Sequence, residues 1–70
     1  MLDGIVRMYN EINGSGLIEK ADDCQLIKFS YKDIKTSGYR IVHEGQKVYY
    51  DIELTKRGPI AVNVIPQKYD

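Results

Sequence analysis

From Lys47 to Leu54 the chain alternates strictly: Val48, Tyr50, Ile52 and Leu54 fall on one side, Tyr49, Asp51 and Glu53 on the other. Successive side chains of an extended chain point to opposite faces of a sheet, so this period of two is that of a half-buried strand. No segment sustains the period of about 3.6 that an amphipathic helix requires. Residues 4–10 are rich in Ile, Val and Tyr and stop before Asn13-Gly14, a pair that favours a tight hairpin turn. Ser15 to Glu19 and Gln25 to Phe29 read as the second and third strands, divided by Ala21-Asp22-Asp23. Ser30 is placed to cap a short helical turn through Ile34, and Thr36-Ser37-Gly38 opens a polar loop to about Arg40. Glu44-Gly45-Gln46 turns into the alternating fourth strand. Beyond Lys56-Arg57-Gly58-Pro59, Ile60 to Val64 forms a fifth strand that ends at Pro66, which has no amide proton to give a ladder. Short strands separated by Gly, Asn and Asp turns predict an all-β, closed or sandwich-like sheet. Val6, Ile18, Ile27, Val48, Ile52, Val62 and Val64 should turn inward, and Gly14 and Gly58 should occupy turns that exploit glycine's freedom.

Seventy residues support one domain, spanning 1–70, and a chain of this size buries only about 60% of the surface it exposes when unfolded. The single cysteine, Cys24, excludes an internal disulfide and a multi-cysteine metal cluster, which fits a reducing cytoplasm. Ten Lys plus Arg balance ten Asp plus Glu, so attraction to a polyanion must come from a local patch. Met1-Leu2-Asp3-Gly4 has no signal-peptide character, and no apolar run approaches the ~18 residues of a membrane span, so no membrane partner is expected. His43 has only Glu44 beside it, and Cys24 has no basic neighbour to activate a thiolate. Asn13-Gly14-Ser15-Gly16 lacks the Lys-Ser/Thr ending of a phosphate loop. No catalytic, metal or cofactor role is expected, and the chain does not read as an enzyme.

Gly4-Ile5-Val6-Arg7-Met8-Tyr9-Asn10, Asn13-Gly14-Ser15-Gly16-Leu17-Ile18-Glu19, Gly45-Gln46-Lys47-Val48 and Arg57-Gly58-Pro59-Ile60-Ala61-Val62-Asn63-Val64 together resemble the bacterial cold-shock protein family. That family writes these stretches as G-x-V-K-W-F-N, K-G-F-G-F-I, E-G-Q-x-V and R-G-P-x-A-x-N-V. The resemblance covers nearly the whole chain. It implies a five-stranded antiparallel oligonucleotide-binding barrel, the OB-fold, whose first three strands carry a face for single-stranded RNA or DNA. On such a face bases stack on exposed rings while cations line the phosphate path, each stacked base contributing about 1–3 kcal/mol.

Carried onto this chain, the face comprises Arg7, Met8, Tyr9, Asn10, Ser15, Leu17, Leu26, Lys28, Phe29, Tyr39 and Arg57, with Arg40 and Lys56 as further cations. Several rings are missing from it. Met8 replaces Trp, Ser15 and Leu17 replace two Phe, and Asn13 replaces the basic residue before Gly14. Where the family has V-F-V-H-F the chain reads Gln25-Leu26-Ile27-Lys28-Phe29, so Phe becomes Leu26, His becomes Lys28, and an inward valine becomes Gln25. Alternation places Ser15 with Leu17, and Leu26 with Lys28, on one side of their strands. Tyr9 and Phe29 could equally be barrel-wall packing. Two functions follow: weakened single-strand binding, or a protein partner or second copy seated on Met8, Leu17 and Leu26.

Overall fold

The computed structural model describes residues 1–35 and 42–67. Five strands, β1 (Leu2–Asn10), β2 (Ser15–Lys20), β3 (Leu26–Ser30), β4 (Lys47–Thr55) and β5 (Gly58–Pro66), close a barrel in the order β1-β2-β3-β5-β4. A short 3-10 turn, Tyr31–Asp33, follows β3. Ser30 caps it as expected: its hydroxyl accepts from the Lys32 amide while the Asp33 carboxylate accepts from the Ser30 amide. Every strand pair is antiparallel except β3 with β5, which meet in parallel at Lys28 and Ile60. The exception is forced. Directions cannot alternate all the way round a closed ring with an odd number of strands, so one neighbouring pair must run the same way.

Val6, Ile18, Ile27, Phe29, Ile34, Val42, Val48, Tyr50, Ala61 and Val64 fill the interior. Five of the seven positions expected inside, Val6, Ile18, Ile27, Val48 and Val64, are there. Val62 and Ile52 are corrections. Val62 is only half-buried because the β4–β5 register shifts between Tyr49 and Asp51. The shift gives β5 one additional residue, and Asn63 takes the left-handed conformation there with φ 52°. Such a bulge reverses which side later residues face. Ala61 and Val64 therefore point inward in place of Val62 and Val64. Ile52 is 38% exposed and Leu54 82% exposed. Past Ile52, β4 is paired only with β5, and the far end of that hairpin has outrun the barrel core.

A second bulge lies in β1. Val6 faces Ile18 but Met8 faces Leu17, which leaves Arg7 as the additional residue. Simple alternation from Val6 would have turned Met8 inward; the bulge puts both Arg7 and Met8 outside and swings Tyr9 back toward the core. Gly14, with φ 68°, and Gly58, with φ 108°, sit in or beside their hairpin turns as expected.

Because a branched side chain in the left-handed region costs about 1–2 kcal/mol, Asn63→Val should destabilise the barrel by roughly that amount in urea unfolding. Asn63→Gly should fall within about 0.5 kcal/mol of the parent, since glycine adopts this conformation freely. Equal effects of the two changes would mean that the bulge does not set the phase of β5.

Candidate nucleic-acid interface

Register fixes the outer face of β1, β2 and β3 row by row. Ile5, Glu19 and Leu26 form one row, Met8, Leu17 and Lys28 the next, and Asn10, Ser15 and Ser30 the third. Between the last two rows, Tyr9, Gly16 and Phe29 project to the opposite side. Met8 is 46% exposed and Leu26 56% exposed, with Leu17 half-buried beside Met8. The face is thus aliphatic at its centre.

Polar groups surround that centre. The Arg7 guanidinium donates to Glu19 Oε2 at 2.9 Å, an ion pair lying along the face. That hydrogen bond, aided by the charge of Arg7, holds the Glu19 carboxyl below its ordinary range, and Arg7 is raised in turn. Lys28 and Arg57 are exposed and make no ion pair with another described residue. Both line a groove of about 300 Å³ between β3 and the β4–β5 hairpin, together with Phe29, Ser30, Asp33, Thr55, Pro59 and Ile60. At the β1–β2 turn, Asn10 Oδ1 accepts from the Ile12 amide at 2.9 Å and Asn13 Oδ1 accepts from the Ser15 hydroxyl at 2.7 Å. Asn10 and Ser15, both expected in the site, are therefore exposed but occupied in shaping the hairpin.

Phe29, for which a binding role and barrel-wall packing both stood open, takes the wall position. It is 3% exposed, lies within the core, and presses on Gly16 so closely that a Cβ there would stand 2.6 Å from the ring. The parity of β3 requires this, because Phe29 is one residue from outward-facing Lys28. Tyr9 lies over it as a parallel ring, with centroids 5.8 Å apart and planes 8° apart. Tyr9 is half-buried, and that burial, with the charge of Glu11, pushes its phenol upward. The chain's aromatic pair thus consists of a core ring and the ring that covers it. Tyr39 and Arg40 lie outside the described residues.

Tyr31 was not among the expected site residues. It is exposed, its ring lies against Gly14, and it approaches Tyr9 closely enough to influence that phenol. Its only sequence signal was its place directly after capping Ser30. Glu19 was also missed, although its spacing of two from Leu17 put a carboxylate on the same side of β2. Gln25 is exposed, and its amide donates to Asp23 Oδ1 at 3.0 Å, so it belongs to the β2–β3 turn rather than to the interior.

A closed five-stranded barrel presenting one outer three-stranded face, rimmed by cations, defines the class of small oligonucleotide-binding-fold domains. Residues 2–67 match the family described as the 'Cold-shock' DNA-binding domain, and the chain belongs to that family. It is 39% identical over 67 residues to "Cold shock protein 1" of Lactiplantibacillus plantarum, covering 96% of this chain and 100% of that one. It is 39% identical over 64 residues to "Major cold shock protein" of Streptococcus pyogenes serotype M6, covering 91% and 94%. Identity to "Cold shock-like protein CspB" of Escherichia coli is 36% over 64 residues, covering 91% and 90%.

Two measurements check this geometry. Phe29→Ala should remove about 3–5 kcal/mol of stability, enough to abolish cooperative thermal unfolding in so small a domain, while Leu26→Ala should stay within about 0.5 kcal/mol. In an NMR titration the Glu19 carboxyl should ionise below ordinary glutamates and return to the usual range in Arg7→Gln. Since the folded value is the lower one, the pair's contribution is present above the unfolded value and is lost as pH falls through the folded one. An unshifted Glu19 would mean that the pair does not form in solution.

Proposed function

We propose that this chain binds single-stranded RNA or DNA across the outer face of β1, β2 and β3, with less affinity per nucleotide than aromatic-rich members of its family. The observation that carries this reading is the row Met8, Leu17 and Lys28: an exposed cation beside aliphatic groups at positions where the family's motifs place Trp, Phe and His. Lys28 and Arg57 supply phosphate contacts, and Tyr9 and Tyr31 are the described rings best placed at the face's edge. Aliphatic side chains still cover the faces of bases, but they lack the π-stacking that makes an aromatic platform strong.

Titration with a pyrimidine-rich oligonucleotide at several salt concentrations tests the proposal. Met8→Trp, Ser15→Phe and Leu17→Phe should tighten binding stepwise, each ring adding about 1–3 kcal/mol if it stacks on a base. Lys28→Gln should weaken binding similarly across sequences and lower the slope of log affinity against log salt by about 0.7, one phosphate's worth on a single strand. If the triple substitution gains nothing, the face does not meet bases.

A second reading, docking of another protein or a second copy, is favoured by the exposure of Met8 and Leu26 on one sheet face. Sedimentation would then show concentration-dependent dimers or a partner complex that Leu26→Asp dissolves, alongside no oligonucleotide binding at low salt.

A further inference from the structure

We infer that Glu19 is a built-in competitor for the phosphate backbone, withholding Arg7 from ligand and thereby setting the affinity of the face. The inference rests on the nucleic-acid reading above. Two independent features of the sheet bring the pair together. The β1 bulge makes Arg7 the additional residue and turns it outward, while the β2 register sets Glu19 in the row of Ile5 and Leu26, next to the row of Met8. The result is a contact of 2.9 Å between residues 12 apart in sequence.

A guanidinium presents its donors in a planar fork that suits a carboxylate and a phosphate equally well. Glu19 therefore occupies Arg7 in the manner of a phosphate oxygen. Lys28 and Arg57 share their groove with Asp33 but form no ion pair among the described residues, so they can neutralise backbone charge without breaking one. Arg7 does so at a disadvantage, because Glu19 offsets its charge and engages one of its donors, and Glu19, whether paired or displaced, stands as a negative charge in the phosphate path. The pair is solvent-exposed, so displacement is feasible, and the penalty is one of affinity rather than of fold.

The test is Glu19→Gln in the full chain, titrated with single-stranded oligo-dT. Glutamine keeps the length of the side chain and removes its charge. Affinity should rise several-fold, up to about tenfold at low salt, and the salt slope should steepen by about 0.7 as Arg7 takes a phosphate. The thermal unfolding midpoint should be little changed. The deciding arm repeats Glu19→Gln in an Arg7→Gln background, where the gain should vanish. A gain that survives there comes from removing negative charge in general and overturns the inference, as does a parent chain that binds but gains nothing from Glu19→Gln while the nucleic-acid reading stands. A parent that fails to bind while Glu19→Gln binds, with that binding lost in the Arg7→Gln background, upholds the inference and sinks the nucleic-acid reading for the unmodified chain; binding that survives there overturns both. Failure of both to bind overturns both.

Discussion

Ring closure governs this molecule. Five short strands must curve sharply enough to meet, and the core inside them holds ten buried apolar side chains among the described residues. Regular strands with unbroken alternation do not curve this tightly, and bulges supply the bend and added twist. One bulge lies in β1 at Arg7, the other in β5 at Asn63. Each solves a mechanical problem, and each also reverses the phase of its strand. Which side chains are core and which are surface on β1 and β5 is thus decided by where the barrel needed to bend.

The candidate interface inherits that decision. Because the β1 bulge precedes Met8, Met8 joins Leu17 and Lys28 on the outer face while Tyr9 swings inward over Phe29. The ring of Phe29 then needs space on β2, which Gly16 provides by having no side chain. Tyr9, Gly16 and Phe29 form one row, and its packing holds the three face-bearing strands in register. The same bulge sends Arg7 across to Glu19. A single additional residue in β1 thereby accounts for the aliphatic centre of the face, the stacking of half-buried Tyr9 on buried Phe29 and the ion pair.

Much of the architecture was legible in the sequence, and what was not follows from the bulges. Alternation in β4 placed Val48 and Tyr50 inside correctly because β4 is regular there. The turn at Asn13-Gly14 and the cap at Ser30 were legible because their chemistry is local. Val62 was misplaced because nothing in Ile60 to Val64 announces that Asn63 adopts a left-handed conformation, although asparagine is among the few residues that tolerate it. Ile52 and Leu54 kept the alternation but lost the core, since where a hairpin outruns its barrel depends on distant strands. On the face itself, Met8 was placed outside by family resemblance against its own alternation, while Phe29, for which a binding role and wall packing both stood open, takes the wall position that the parity of Lys28 argues for. Ion pairing across strands requires register, which no single strand encodes. Tyr31 was left out of the expected site because a capping turn gives no facing direction.

The separation between the row that holds the sheet together and the rows that face solvent explains how a member of this family can keep its barrel while altering its surface. Met8 and Leu26 lie outside the core cluster, so replacing aromatic residues there sacrifices little packing. Fold is therefore a poor guide to the strength of the ligand interaction, which resides in the replaceable rows. On the proposed reading, losing rings also changes the kind of binding that remains. Stacking is largely indifferent to salt, whereas phosphate neutralisation falls steeply with it. A face with aliphatic groups at its centre and cations at its rim draws a larger share of its affinity from the salt-sensitive part. With no excess positive charge on the chain as a whole to attract a polyanion from a distance, that share depends on how many of the rim cations are free to act. On the proposed nucleic-acid reading, the intramolecular pairing of one arginine thus weighs more here than it would on a ring-rich face.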